Sequence, residues 1–159
     1  MHCTGATSAT MSVEPGLVDT NVLVYGVDAD AQQHTAARTL LEAARDGSAI
    51  LYVTPQILCE FYSIVTNARR VAKPRTPADA LSAISDFLAF VRVLPIPTHA
   101  VEGWMKLLDR HPVTGGEIFD LQIVATMQAN SIQRIYTFNT DDFEVFSELT
   151  VVRPEVAVE

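Results

Sequence analysis

Five short apolar runs are strung along this chain, and every gap between them is long enough to hold a helix. The runs are Leu17-Val18, Ile50-Leu51-Tyr52-Val53, Val93-Leu94-Pro95-Ile96, Arg134-Ile135-Tyr136-Thr137 and Leu149 to Val152. Antiparallel strands can be joined by a two-residue turn, whereas parallel strands need a crossover of about a dozen residues or more. The spacing therefore predicts a parallel sheet with helices on both faces, an α/β fold.

The gaps carry helical signals. Between His34 and Arg45, Ala37, Leu40, Leu41 and Ala44 recur at three and four, and Asp46-Gly47-Ser48 stops the pattern. Thr54-Pro55 and Thr76-Pro77 each pair an N-cap residue with proline at the first helical position, predicting helices to about Arg69 and about Val91. Thr98 is expected to cap a helix ending near Asp109. Gly115-Gly116 precedes a helix from Glu117 to about Ala129, and a helical turn is expected from Asp141 to Phe146.

A length of 159 residues suits one domain, placed at residues 17–153 and followed by a tail at 154–159. Residues 1–16 are small and polar without periodicity and read as a flexible arm. They lack the charged and apolar regions of a secretory signal, so a cytoplasmic, reducing setting is expected, with Cys3 and Cys59 as free thiols. No apolar run approaches the roughly 18–20 residues of a membrane span. The net charge of −8 argues against a general polyanion binder. It leaves room for a nuclease, because acids can be concentrated at one metal site.

Several acids occupy unexpected positions. In parallel sheets the ligand crevice lies beyond the carboxyl ends of the strands. Asp19 directly follows the first strand, either as an N-cap or as a carboxylate presented to that crevice. Glu60 is three residues after Ile57 and four before Ile64, on the apolar face of its helix, where it needs an ion-pair partner or a functional reason. Asp120 is four before Val124 on another apolar stripe. Glu117, one turn earlier, is explained by the helix dipole. Asp141 and Asp142 follow the fourth strand, and one of them is expected to be a helix cap. Carboxylates about 5 Å apart repel by roughly 3 kcal/mol at an effective dielectric of about 20, so a converging group must take up protons or a cation. All-oxygen ligands suit Mg²⁺ or Mn²⁺ rather than Zn²⁺. His2, His34, His99 and His111 show no metal-ligand spacing.

The pattern resembles the PIN-domain ribonucleases, and most closely the VapC-like toxins of bacterial toxin–antitoxin pairs. The matching pieces are Leu17 to Tyr25 around Asp19-Thr20-Asn21, Glu60 in its helix, Glu117-Ile118-Phe119-Asp120 leading into Leu121 to Ala125, and Thr137 to Phe143. The resemblance implies a three-layer α/β/α sandwich around a five-stranded parallel sheet, metal-dependent cleavage of RNA, a homodimer and a VapB-like antitoxin. By position, Asp19, Glu60 and Asp120 match the family's acidic cluster. The family commonly places an aspartate where this chain has Asn139, and Asp142 is the candidate to supply the fourth carboxylate instead. Mg²⁺ or Mn²⁺ held by these acids would polarise the phosphate and activate water for in-line attack, leaving a 5′ phosphate. Thr137 or Asn139 would orient a water or a ligand carboxylate.

Arg69, Arg70, Lys73 and Arg75 supply four of the eleven basic residues, either as a solvated helix end or as a phosphate-contact edge for RNA. Tyr62 and Trp104 are expected in the core rather than stacked on bases. Two other functions compete. A haloacid-dehalogenase-like phosphatase would need a second aspartate at position 21, where Asn21 stands. A catalytically idle interaction module on the same fold is suggested by Asn139.

Overall fold

The computed structural model describes residues 13–158. Its strands are β1 (Gly16–Val18), β2 (Leu51–Val53), β3 (Arg92–Val93), β4 (Arg134–Tyr136) and β5 (Thr150–Val152). The helices are α1 (Thr20–Gly26), α2 (His34–Arg45), α3 (Pro55–Val65), α4 (Pro77–Leu88), α5 (Ala100–Arg110), α6 (Ile118–Ala129) and α7 (Pro154–Ala157). Two 3₁₀ turns, Gly115–Glu117 and Thr140–Asp142, precede α6 and follow β4.

All strands pair in parallel in the order β3-β2-β1-β4-β5. The register sets Leu17 opposite both Tyr52 and Ile135. The chain moves outward in one direction from β1 to β3, then crosses back to place β4 on the other side of β1. Right-handed crossovers therefore put α1 to α4 on one face and α5 and α6 on the other, which makes the predicted three-layer sandwich. The point of reversal lies between β1 and β4, and a crevice opens beyond their carboxyl ends.

Packing follows the sequence pattern. In α2 the expected Ala37, Leu40, Leu41 and Ala44 are the buried stripe. In α6 the burial is nearly all-round, from Leu121 through Met127, because the helix is covered by the sheet and by α5. A Cβ added to Gly103 of α5 would stand 3.3 Å from the Cβ of Ala125, so the two helices touch at this point. Phe61 of α3 and Phe87 of α4 meet edge to face at 5.4 Å. Each fully buried Leu, Ile or Phe contributes about 1.5–3 kcal/mol. Trp104 packs half-buried against the core as expected, whereas Tyr62 is exposed.

The differences from expectation have local causes. Helix α3 ends at Val65, not near Arg69. The Asn67 side chain accepts from the Arg69 N–H at 2.9 Å, and the Arg75 N–H takes the Val65 carbonyl at 2.7 Å, so the basic residues lie in a loop rather than on a helix end. The third strand pairs only at Arg92–Val93. Pro95, with no N–H to give, stops the ladder. Thr98 does not cap α5, which begins at Ala100 after His99 without a side-chain cap. Neither Asp141 nor Asp142 caps a helix, since both lie inside the 3₁₀ turn that Asn139 precedes. The arm read over residues 1–16 falls, for 1–12, outside the described residues, and Gly16 pairs in β1. The segment read as a tail contains α7, started by Pro154 and packed on α2. Cys59 is an exposed free thiol, and Cys3 is outside the described residues. Among the described residues no helix is long and apolar enough to cross a membrane.

Candidate functional site

Asp19 stands at the carboxyl end of β1, 8% exposed, and is the N-cap of α1. Its Oδ1 accepts from the Thr20 N–H at 2.8 Å. Its Oδ2 accepts from the Thr137 hydroxyl at 2.9 Å and from the Asn21 amide at 3.3 Å. Thr137 lies fully buried just past β4, on the far side of the sheet reversal. Its oxygen also accepts from Asn21 Nδ2 at 3.1 Å and from the Asn139 N–H at 3.0 Å. One hydroxyl thus uses its proton and both lone pairs. Asn21 Oδ1 accepts from the Phe138 N–H at 3.1 Å, so this one amide stitches α1 to the loop after β4.

Glu60 is half-buried beside the Ile57, Phe61 and Val65 face of α3. The ion pair that would have explained it is absent among the described residues. Its partners are neutral: the Thr20 hydroxyl at 2.9 Å and the Gln56 amide at 2.7 Å. Gln56 also donates to the Phe119 carbonyl at 3.1 Å, tying α3 to the first turn of α6. From that turn comes Asp120. Glu117 instead closes a capping box with Thr114, in line with a helix-start role.

Asp19, Glu60, Asp120, Asp142 and Asn139 line one cleft of about 430 Å³, joined there by Asp28 and by Arg70. Thr137 sits beneath it through its bond to Asp19. Arg69, Lys73 and Arg75 lie outside its lining. The electrostatics are those of an anion cluster. Burial drives the carboxyl of Asp120 up to about 7, reinforced by Asp142, Asp19, Glu60 and Glu117 in that order, with no donor opposing it. Burial also raises Asp19, and Glu60 and Asp142 add to the rise. The bonds from Thr137 and Thr20 pull the other way without cancelling it.

Among the described residues, no three His, Cys, Asp or Glu side chains are gathered closely enough to hold one ion as they stand. The acids line the cleft without closing on a point. Like charges in a partly desolvated space repel one another. The donor set is nonetheless all oxygen, carboxylates with one amide, which fits a hard divalent ion.

Sequence reasoning assigned no role to Asn21, Thr20 or Gln56. Gln56 had a signal, since it precedes Glu60 by four residues on one helix face. Asn21 and Thr20 had only their adjacency to Asp19, and their partners are distant in the chain.

The family model for the PIN domain matches residues 16–149. Ribonuclease VapC43 of Mycobacterium tuberculosis is 32% identical over 120 residues, covering 72% of this chain and 79% of that protein. A crystal structure of VapC20 from Mycobacterium tuberculosis, described as a sarcin-ricin loop cleaving toxin, matches with a TM-score of 0.64 at 21% identity, covering 87% of this chain and 98% of that one. A toxin–antitoxin complex from Klebsiella pneumoniae matches with a TM-score of 0.60 at 20% identity, covering 87% and 97%. With its parallel sheet, its acids at the reversal and these relatives, the chain belongs to the PIN domain family.

Proposed function

We propose that this chain is a divalent-metal-dependent ribonuclease and the toxin of a toxin–antitoxin pair. The observation that carries the reading is the set of acids at the sheet reversal, in a cleft whose one lining cation pairs with none of them. The ribonuclease relative and the toxin-like fold neighbours support the substrate class and the antitoxin partner.

Asp19, Asp120, Asp142 and Glu60 would hold Mg²⁺ or Mn²⁺. A divalent ion bound there supplies Lewis acidity toward a phosphate oxygen and makes water easier to deprotonate. The residues do the rest. Thr137 and Asn21 fix the direction of the Asp19 carboxylate, so it is presented without reorganisation. Thr20 and Gln56 hold Glu60 at the α3 wall. Asn139 contributes a neutral polar group where a further full charge would add repulsion to the five carboxylates that line the cleft.

The phosphatase alternative loses its ground at Asn21, whose amide is committed to three structural bonds. The idle-module alternative rests on Asn139 and separates in one assay. Purified protein is incubated with mixed RNA, with Mg²⁺ or Mn²⁺ and with EDTA. Metal-dependent fragments bearing 5′ phosphates are expected. No cleavage in either metal, alongside tight binding of a peptide partner, would leave the module.

A further inference from the structure

The loop between α3 and α4 carries Arg69, Arg70, Lys73 and Arg75, and the fold gives them different surroundings. The Arg75 guanidinium donates to the Val27 carbonyl at 2.8 Å, a half-buried tie that anchors the loop base. Lys73 pairs with Asp30 at 3.3 Å in solvent. Arg69 is exposed and outside the acidic cleft. Arg70 lines that cleft together with Asp19, Glu60, Asp120 and Asp142.

Two features decide what Arg70 does. First, its backbone is held: the Arg70 and Val71 N–H groups donate to the Asn67 carbonyl at 2.9 and 3.1 Å, below the Asn67 side-chain turn. Second, its guanidinium forms an ion pair with none of the described carboxylates, although five line the same cleft. A cation serving as counter-ion to those acids would be drawn onto them. An exposed, unpaired guanidinium lining an acidic cleft, carried on a backbone held by the Asn67 turn, has the fork geometry that matches phosphate oxygens. A strand of RNA approaching a chain of net charge −8 finds in Arg70 the one Lys or Arg side chain among the residues that line this cleft.

The geometry points to Arg70 as the residue that binds a non-bridging phosphate oxygen of the RNA strand beside the acidic cleft. This rests on the ribonuclease reading above. Arg70 is a substrate-binding residue, and its partner is the backbone rather than a base, so it sets affinity and register without reading sequence.

The test uses the full chain, a short single-stranded RNA of mixed sequence, and KCl titrations of both cleavage and binding, the latter by fluorescence anisotropy. Arg70→Ala should raise KM about tenfold with a smaller change in kcat, and make the slope of log affinity on log salt shallower by about 0.7, the loss of one phosphate contact on a single strand. Arg70→Lys should restore the slope but only part of the KM, since it keeps the charge without the fork. Arg69→Ala should match wild type. Equal losses in Arg69→Ala and Arg70→Ala would indicate a diffuse basic patch and overturn the assignment. Tighter Mg²⁺ dependence in Arg70→Ala with an unchanged KM would make Arg70 a counter-ion and overturn it too. A wild type that cleaves, paired with an Arg70→Ala variant of unchanged KM and slope, ends this proposal alone. A wild type that neither cleaves nor binds RNA ends the ribonuclease reading with it. A wild type that binds without cleaving still supports Arg70 if the slope change is seen.

Discussion

Asp19 and Asp120 face the same cleft and are built in opposite ways. Asp19 is nearly sealed and accepts three hydrogen bonds, from Thr20, Asn21 and Thr137. Asp120 is half-buried with no donor, and its neighbours are other acids. One wall is finished by the protein alone, at the junction of β1 and β4 where two loops separate. The other is left with charge that nothing in the described chain offsets. The contrast teaches that the fold fixes one carboxylate with hydrogen bonds and leaves the other among like charges, at the wall where the proposed ion would bind.

The largest effect should come from deleting either charge. Asp19→Asn and Asp120→Asn are each expected to lower metal-dependent RNA cleavage more than about a hundredfold, beyond the range typical of residues that only support a ligand. Circular dichroism should show both folded. Equal activity in both variants would break the comparison at its root.

Next comes Thr137→Val, which keeps the shape and removes the donor to Asp19. It should weaken the apparent Mg²⁺ affinity by about 10- to 100-fold, with cleavage recovering at high metal. A Mg²⁺ titration of initial rates reads this directly. The variant also strips Asn21 and the Asn139 N–H of an acceptor, so stability should fall by about 1–3 kcal/mol.

The unfinished wall has a pH signature. Burial and the neighbouring acids push the carboxyl of Asp120 up to about 7 in the fold, against an ordinary value of 3.8. Between those values the folded state binds more protons than the unfolded one, so stability is higher at the acid end and falls as pH rises from about 4 to about 7. Chemical denaturation of metal-free protein across that window should show the decline. Asp120→Asn should reduce it, leaving the part that Asp19, also raised by burial, contributes, and added Mg²⁺ should offset it near neutrality. A flat profile in the metal-free wild type would mean that Asp120 is already compensated.

The smallest effect is a control far from the cleft. Ser131, just past α6, has φ of 59°, a conformation that suits glycine. Ser131→Gly should raise the melting temperature, with a gain of up to about 1 kcal/mol, and leave cleavage unchanged. An altered metal dependence in this variant would show that stability and cleft cannot be separated.

These contrasts also explain what could be read from the sequence. Strand spacing and the Thr-Pro starts of α3 and α4 were legible because their causes are local. Asp19, Glu60 and Asp120 were legible because a carboxylate beside an apolar face or directly after a strand demands a reason, whereas Asp142 reads locally as a helix cap and stands out only through the family resemblance. Asn21 and Gln56 were not, because a neutral amide near a helix start looks ordinary until its distant partners, Phe138 and Phe119, are in place. The end of α3 was misread because Ala68-Arg69-Arg70 favour helix locally, while the Asn67 turn and the capture of the Val65 carbonyl by Arg75 decide otherwise. The separation of Arg70 from its basic neighbours depends on that same loop.

The most direct measurement is calorimetric titration of Mn²⁺ into the wild type, Asp19→Asn and Asp120→Asn near pH 6. Saturable binding in the wild type, accompanied by proton release and lost in both variants, is the expected result. No saturable binding to the wild type, or binding that both variants retain unchanged, would contradict the account.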